Sequence, residues 1–258
     1  MLTVKFLITA FLLLRLFPAM LKAQRFFETE ISCNGDCLVD TALFYKDLLQ
    51  ETSIAHNAAL NTNLFGPYFD QFPQIRSDIL ATLCYYPELA NARIRFSYKP
   101  ISQTMNSRPT PGNIFRKKVN RHYSIIVNNN QGKHKGLTFE KLSPTIKAGW
   151  IGHELAHICE YEKMNNFETF LFAVKYVFSK KFIRKVERYT DLVTIEHGLA
   201  FPLYDGTQYL LQSDEIEAKY RKYTITNGLS LSEIICLWCK FKEVKNSISG
   251  SKTAKGNH

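Results

Sequence analysis

Several signatures that announce a chemistry are missing from this 258-residue chain. It has no glycine-rich phosphate loop, no Gly-x-Ser-x-Gly nucleophile elbow and no internal repeat, which argues against nucleotide hydrolysis, α/β-hydrolase chemistry and solenoid architectures. Cysteine is sparse. Cys236-x-x-Cys239 lacks the second pair that a structural zinc site would need, while Cys33, Cys37, Cys84, Cys159, Cys236 and Cys239 allow disulfides in an exported chain without choosing among their pairings. Cys159 reads as a small buried residue. Acidic residues are the minority charge, 23 against 33 basic, for a formal +10. Lys175, Lys180, Lys181, Arg184 and Lys185 concentrate part of that excess, but no nucleic-acid-binding motif accompanies them, so they read as a solvated helix face and no nucleic-acid partner is expected.

Long apolar runs are lacking too. The longest, Phe6 to Met20, is interrupted by Arg15 and is short for a spanning helix. With Lys5 before it and Leu21-Lys22-Ala23-Gln24 behind, it reads as a secretory signal peptide over residues 1–23. Its removal takes Lys5, Arg15 and Lys22 and lowers the formal charge to about +7. A secreted, periplasmic or envelope location is expected, and membrane contact only if the segment stays uncleaved as an anchor. The remainder, 45% hydrophobic and 13% aromatic over the whole chain, is ample for a folded core.

The most informative residues are His153-Glu154-Leu155-Ala156-His157. On a helix, positions i and i+4 share one face, so both imidazoles can reach a single metal ion at about 2.0–2.1 Å. Glu154 projects beside them, placed to accept a proton from the water that attacks a carbonyl. The neighbours Ile146, Ala148, Gly149, Trp150, Ile151, Leu155 and Ile158 describe a buried helix. Two imidazoles and a carboxylate in such a helix need partners, and a metal supplies one.

A catalytic zinc wants a third protein ligand and an open position. Glu187 and Asp191 again stand at i and i+4 in a helical stretch from about Lys180 to His197, so one could ligate while the other orients a ligand histidine. Glu168, Glu196 and His197 are sterically possible rivals, although His197-Gly198 reads more plainly as a helix C-terminus. The set His153-Glu154-x-x-His157 with Glu187-x-x-x-Asp191 resembles the gluzincin branch of the zincin metallopeptidases. That resemblance implies zinc on His153, His157 and Glu187, Glu154 as general base, Asp191 orienting a ligand histidine, and a peptide or protein substrate. It covers the two motif helices and, more loosely, the strands before them.

The rest of the chain suits an α+β fold: a small mixed or antiparallel sheet, the active-site helix, and then an all-helical half. Helices are expected over Asp40 to Ala59 and Phe69 to Leu89, broken near Pro73 and ended near Pro87. Arg93 to Lys99 alternates polar and apolar as a half-buried strand does, a loop with Pro109, Pro111 and Gly112 follows, and Arg121 to Asn128 forms the next strand. The motif helix is expected to start at Ser143-Pro144, a capping residue followed by a first-turn proline. Further helices are expected over Asn166 to Phe178, Asp214 to Tyr223 and Ser230 to Val244. The domain would span residues 24–245, a sheet lobe to about 160 and a helical lobe beyond, before a loose tail over 246–258. Either strand could be the edge that receives an extended peptide. Tyr204, Tyr209, Tyr220 and Tyr223 are candidates by position for stabilising an oxyanion. A metal-binding protein of this type without turnover, serving as an envelope binding or structural module, is the alternative reading.

Overall fold

The computed structural model describes residues 76–110, 112, 116, 120–128, 139 and 142–253, with side chains only as far as 242. The signal segment, the expected helix from Asp40 to Ala59, Cys33 and Cys37 lie outside the described residues. The fold is α+β and mostly helical. In chain order it runs α1 (Arg76–Leu83), a 3₁₀ turn (Pro87–Leu89), β1 (Arg93–Lys99), β2 (Met105–Pro109), β3 (His122–Asn128), α2 (Pro144–Lys163), α3 (Asn166–Phe178), α4 (Lys180–Glu196), α5 (Ala200–Gln212), α6 (Ala218–Asn227) and α7 (Leu231–Thr253).

The three strands form a mixed sheet in the order β1-β3-β2. β1 lies parallel to β3 with Ile94 opposite Tyr123, and β2 antiparallel with Ser107 opposite Ile125. Strand β2 stands where the sequence suggested only a loop. Its residues Met-Asn-Ser-Arg-Pro carry little β-propensity, and its inward positions are Met105 and Ser107, so no apolar alternation marks it. The pairing with β3 creates it. Ile94, Phe96, Tyr123, Ile125 and Val127 enter the core on which α2 packs.

Helix α2 begins as its sequence predicts, with Pro144 in the first turn and the Ser143 Oγ accepting a hydrogen bond from Ile146 N at 3.3 Å. It packs against α1, α4, α5 and β2. Two glycines let it do so: a Cβ on Gly149 would meet the Pro202 carbonyl oxygen at 2.1 Å, and one on Gly152 the Leu199 side chain at 2.5 Å. At its far end Arg121, 2% exposed, donates to the carbonyls of Tyr161 (3.1 Å) and Met164 (2.7 Å) and to Asn166 Oδ1 (2.6 Å), closing the C-terminus of one helix and the start of the next. Arg121 itself stands just before β3, not in it.

Other expectations need adjusting. The first described helix stops at Leu83, short of Pro87, because that proline opens a separate 3₁₀ turn. α5 was not among the expected helices; Pro202 falls in its first turn, where it costs no hydrogen bond, and Gly206 faces the Trp150 ring. α6 sits four residues later than the Asp214 to Tyr223 stretch. α7 continues to Thr253, beyond the expected start of the tail. Cys84, Cys159, Cys236 and Cys239 form no disulfide with one another.

Candidate metal centre

His153 and His157 stand on α2 and Glu187 on α4, and their ligand atoms lie within 4.8 Å of one another. His153 Nε2 is 3.3 Å from Glu187 Oε2, and His157 Nε2 is 4.0 Å from Glu187 Oε1. The two rings stand edge to face at 86°.

The outer nitrogens are both engaged. Asp191, one helical turn after Glu187, puts Oδ1 at 2.8 Å from His153 Nδ1 and accepts the backbone N–H of Leu229 on Oδ2 at 2.8 Å. For His157 the partner is Thr190, whose Oγ lies 3.1 Å from Nδ1. The Thr190 hydroxyl donates its own proton to the Val186 carbonyl at 2.9 Å, so it accepts from His157 Nδ1–H. Each imidazole therefore carries its proton on Nδ1 and turns a lone pair on Nε2 toward the Glu187 carboxylate. Lone pairs facing a carboxylate repel one another unless a cation lies among them.

A metal fits that requirement. Two ligands at about 2.05 Å on a tetrahedral ion stand about 3.3 Å apart, matching the 3.3 Å between His153 Nε2 and Glu187 Oε2. Two imidazole nitrogens and a carboxylate are also a donor set that zinc accepts. In a metal-free protein a proton would take the cation's place. Burial opposes charge on His153, but the hydrogen bonds and charges of Asp191 and Glu187 outweigh it and hold the ring well above the ordinary histidine range. Burial pushes His157 down to about 4. Burial would also raise Glu187, yet the His153 hydrogen bond, both imidazoles and the Tyr176 hydroxyl bring it down to about 2.

Glu154 lies beside the three and is 8% exposed. Burial pushes its carboxyl up, partly offset by His153 and by Ser107 on β2, and the net direction is upward. All four side chains line a cavity of about 390 Å³ whose walls are β2 on one side and the aromatics Phe172, Tyr176, Tyr220 and Tyr223 on the other. Among the described residues β2 pairs only with β3, and its residues Met105 to Pro109 line this cavity.

The rival third ligands are placed elsewhere. Glu168 closes a capping box with Asn165 at the start of α3. Glu196 is exposed at the end of α4. His197 caps that helix, followed by Gly198 at φ +85°, and its Nε2 lies 2.7 Å from Glu88 Oε1, which also accepts from Cys159 Sγ at 3.3 Å. The contact of 2.7 Å is a hydrogen bond's length, shorter than a tetrahedral metal site's edge, and Cys159 is buried as expected. Of the four tyrosines, Tyr220 and Tyr223 line the cavity, whereas Tyr204 and Tyr209 pack against the hydrophobic clusters.

Three participants were not identified from sequence: Thr190, Ser107 and Tyr176, whose hydroxyl donates to Glu187 Oε1. Only Thr190 carried a signal, as the residue one before Asp191 on the ligand-bearing helix. Compared with protein-family models, curated proteins and solved structures, the chain finds no match.

Proposed function

We propose that this protein is a zinc-dependent hydrolase, a peptidase with the site and layout of a gluzincin-type zincin. The observation that carries the reading is the convergence of two Nε2 lone pairs and the Glu187 carboxylate, with both Nδ1 atoms held from behind, on the floor of an open cavity. When bound, the metal supplies Lewis acidity, lowering the pKa of a water and polarising the scissile carbonyl.

The chain's own residues supply the remainder. An extended peptide pairs with the outer edge of β2 through backbone hydrogen bonds, which lays it along the cavity over His153 and Glu154. Glu154 accepts the proton of the attacking water and passes it to the leaving amine. Its raised pKa suits that exchange, since it makes the carboxylate a stronger base toward the water proton than an ordinary one, while a pKa nearer the working pH still lets the acid formed give the proton up. Tyr220 donates to the developing oxyanion. Its oxygen accepts from Thr104 N at 3.3 Å, which leaves its proton to give, whereas the Tyr223 hydroxyl is engaged with Tyr176. Export by a signal peptide over residues 1–23 completes the reading, placing the enzyme outside the cytoplasm.

The test is a peptide-library digest on the zinc-replete protein beside its Glu154→Gln variant. Wild type is expected to cleave, and the variant to keep its zinc while hydrolysis falls by at least ~10²–10⁴-fold. Equal rates would remove Glu154 from the mechanism. A zinc-loaded wild type that cleaves nothing would favour the metal-binding protein without turnover.

A further inference from the structure

Helix α3 is apolar on two sides. Its inner face brings Phe172 onto Tyr161 and Phe182. Its outer face carries Phe170, Val174, Val177 and Phe178, which are 48%, 38%, 72% and 83% exposed, with the exposed Ala173 among them. These positions follow i, i+3, i+4, i+7 and i+8, a single stripe. A helix apolar all round belongs in an interior, and a contiguous exposed stripe marks a contact surface. Phe178, the last residue of α3, is the most exposed large apolar side chain among the described residues and projects from the surface.

The charge around the stripe has one sign. Residues 169–186 contain no Asp or Glu but five basic residues, Lys175, Lys180, Lys181, Arg184 and Lys185. The last four are exposed and follow the stripe directly, one residue beyond Phe178. Lys180 and Lys181 occupy the first turn of α4, where positive charge opposes the helix dipole, so local helix stability does not explain them. A second copy of the chain makes a poor occupant, since it would bring like charges together. Protein interfaces in general are depleted in lysine. Phenylalanine and valine bordered by Lys and Arg are instead the composition that an anionic lipid surface attracts, the apolar side chains entering the acyl boundary while the cations stay with the headgroups.

We infer that this face docks on the surface of an anionic phospholipid bilayer. Among the described residues no helix is long and apolar enough to cross a membrane, so the contact made by α3 is with the surface. Phe170, Val174, Val177 and Phe178 enter the boundary between headgroups and acyl chains, and the basic residues at the start of α4 meet the lipid phosphates. The location gives the contact a consequence. Val177 and Ala173 also line the cavity, so docking brings the rim of the candidate site to the bilayer. On the reading proposed above, polypeptide segments at a membrane surface are then the favoured substrates. The docking itself requires neither metal nor turnover.

Tryptophan fluorescence of the full chain carrying Phe178→Trp tests it, with wild type supplying the background of Trp150 and Trp238. On vesicles of phosphatidylcholine and phosphatidylglycerol in equal parts, the added emission is expected to shift to the blue and to be quenched by lipids brominated on their acyl chains. Vesicles of phosphatidylcholine alone should produce neither effect. Lys181→Glu with Arg184→Glu should weaken the partition at least ~tenfold, and added salt should weaken it as well. An introduced tryptophan that keeps its aqueous emission with anionic vesicles, whether or not the chain sediments with them, would overturn the assignment, and so would equal responses to both vesicle types. A blue shift already present without lipid would mean that a second copy, in a dimer, or the chain itself, in a monomer, covers the face instead. Val177→Trp gives the same readout should the first variant fold poorly.

Discussion

The two imidazoles owe their orientation to one residue each on α4. Asp191 holds His153 through a carboxylate that Leu229 N fixes in turn, and Thr190 holds His157 through a hydroxyl whose proton is committed to Val186. Outer contacts of this kind set tautomer and ring direction, and losing one typically costs 10–100-fold in metal affinity. Thr190→Val keeps the shape of the side chain but leaves His157 Nδ1–H without an acceptor. Zinc affinity, measured by competition with a chromophoric chelator, is expected to fall about 10–100-fold for Thr190→Val and for Asp191→Asn alike. An unchanged affinity in Thr190→Val would mean that α2 alone fixes His157. The pairs His153/His157 and Glu187/Asp191 were legible because i, i+4 spacing places each on one helix face, whereas the choice of Glu187 over its rivals and the roles of Glu154 and Asp191 were implied by the family resemblance. Thr190, Ser107 and Tyr176 were not legible, since their roles arise only where one element meets another.

At the level of elements, legibility followed local signals. Ser143-Pro144 marked the start of α2 and His197-Gly198 the end of α4, because caps are written in adjacent residues. β2 and α5 carried no such mark: one is made by its partner strand, and the other hides a proline in its first turn and a glycine against Trp150. Arg121 is the extreme case, a charged residue that turned out to be buried as a cap for two helices. Arg121→Gln shortens the reach to the Tyr161 and Met164 carbonyls and removes charge-assisted bonds worth about 1.5–3 kcal/mol each. Urea denaturation is expected to show a loss of at least about 2 kcal/mol; a loss under about 0.5 would mean that water replaces the guanidinium.

A second inter-element contact titrates. Arg188 on α4 holds Glu233 on α7 with two hydrogen bonds, Nη2 to Oε1 at 2.6 Å and Nη1 to Oε2 at 3.2 Å. The Arg188 hydrogen bonds outweigh burial and bring Glu233 down to about 2. A carboxyl depressed on folding contributes stability that is fully present above its unfolded pKa, about 4.3, and is lost as pH falls toward 2. The pair is half-exposed, so solvent screening limits it to about 1 kcal/mol. Glu233→Gln should therefore be less stable than wild type by that amount at pH 6, with the gap closing between about pH 4.3 and 2. A gap that stays constant with pH would show that packing, not charge, joins α4 to α7.

In the whole molecule the candidate centre is a meeting point. α2 arrives packed on the sheet, α4 arrives from the helical half, and each brings donors that the other element needs. Without a metal the arrangement buries a protonated His153 between the Glu187 and Asp191 carboxylates, and α2 is held there independently by α5, Tyr86 and Arg121. A cation that binds only the folded state should therefore add stability across both halves. With free zinc at about 1,000 times its Kd the gain is about 4 kcal/mol, a rise in Tm on the order of 10 °C for a domain of this size. Scanning calorimetry of chelator-treated protein with and without added zinc measures it. Wild type is expected to shift and His153→Ala not to, because that variant keeps the fold's supports but loses one metal ligand and the N–H that donates to Asp191. Equal shifts in both would place the bound zinc elsewhere on the molecule, and no shift in wild type would mean that the donors on α2 and α4 do not share an ion.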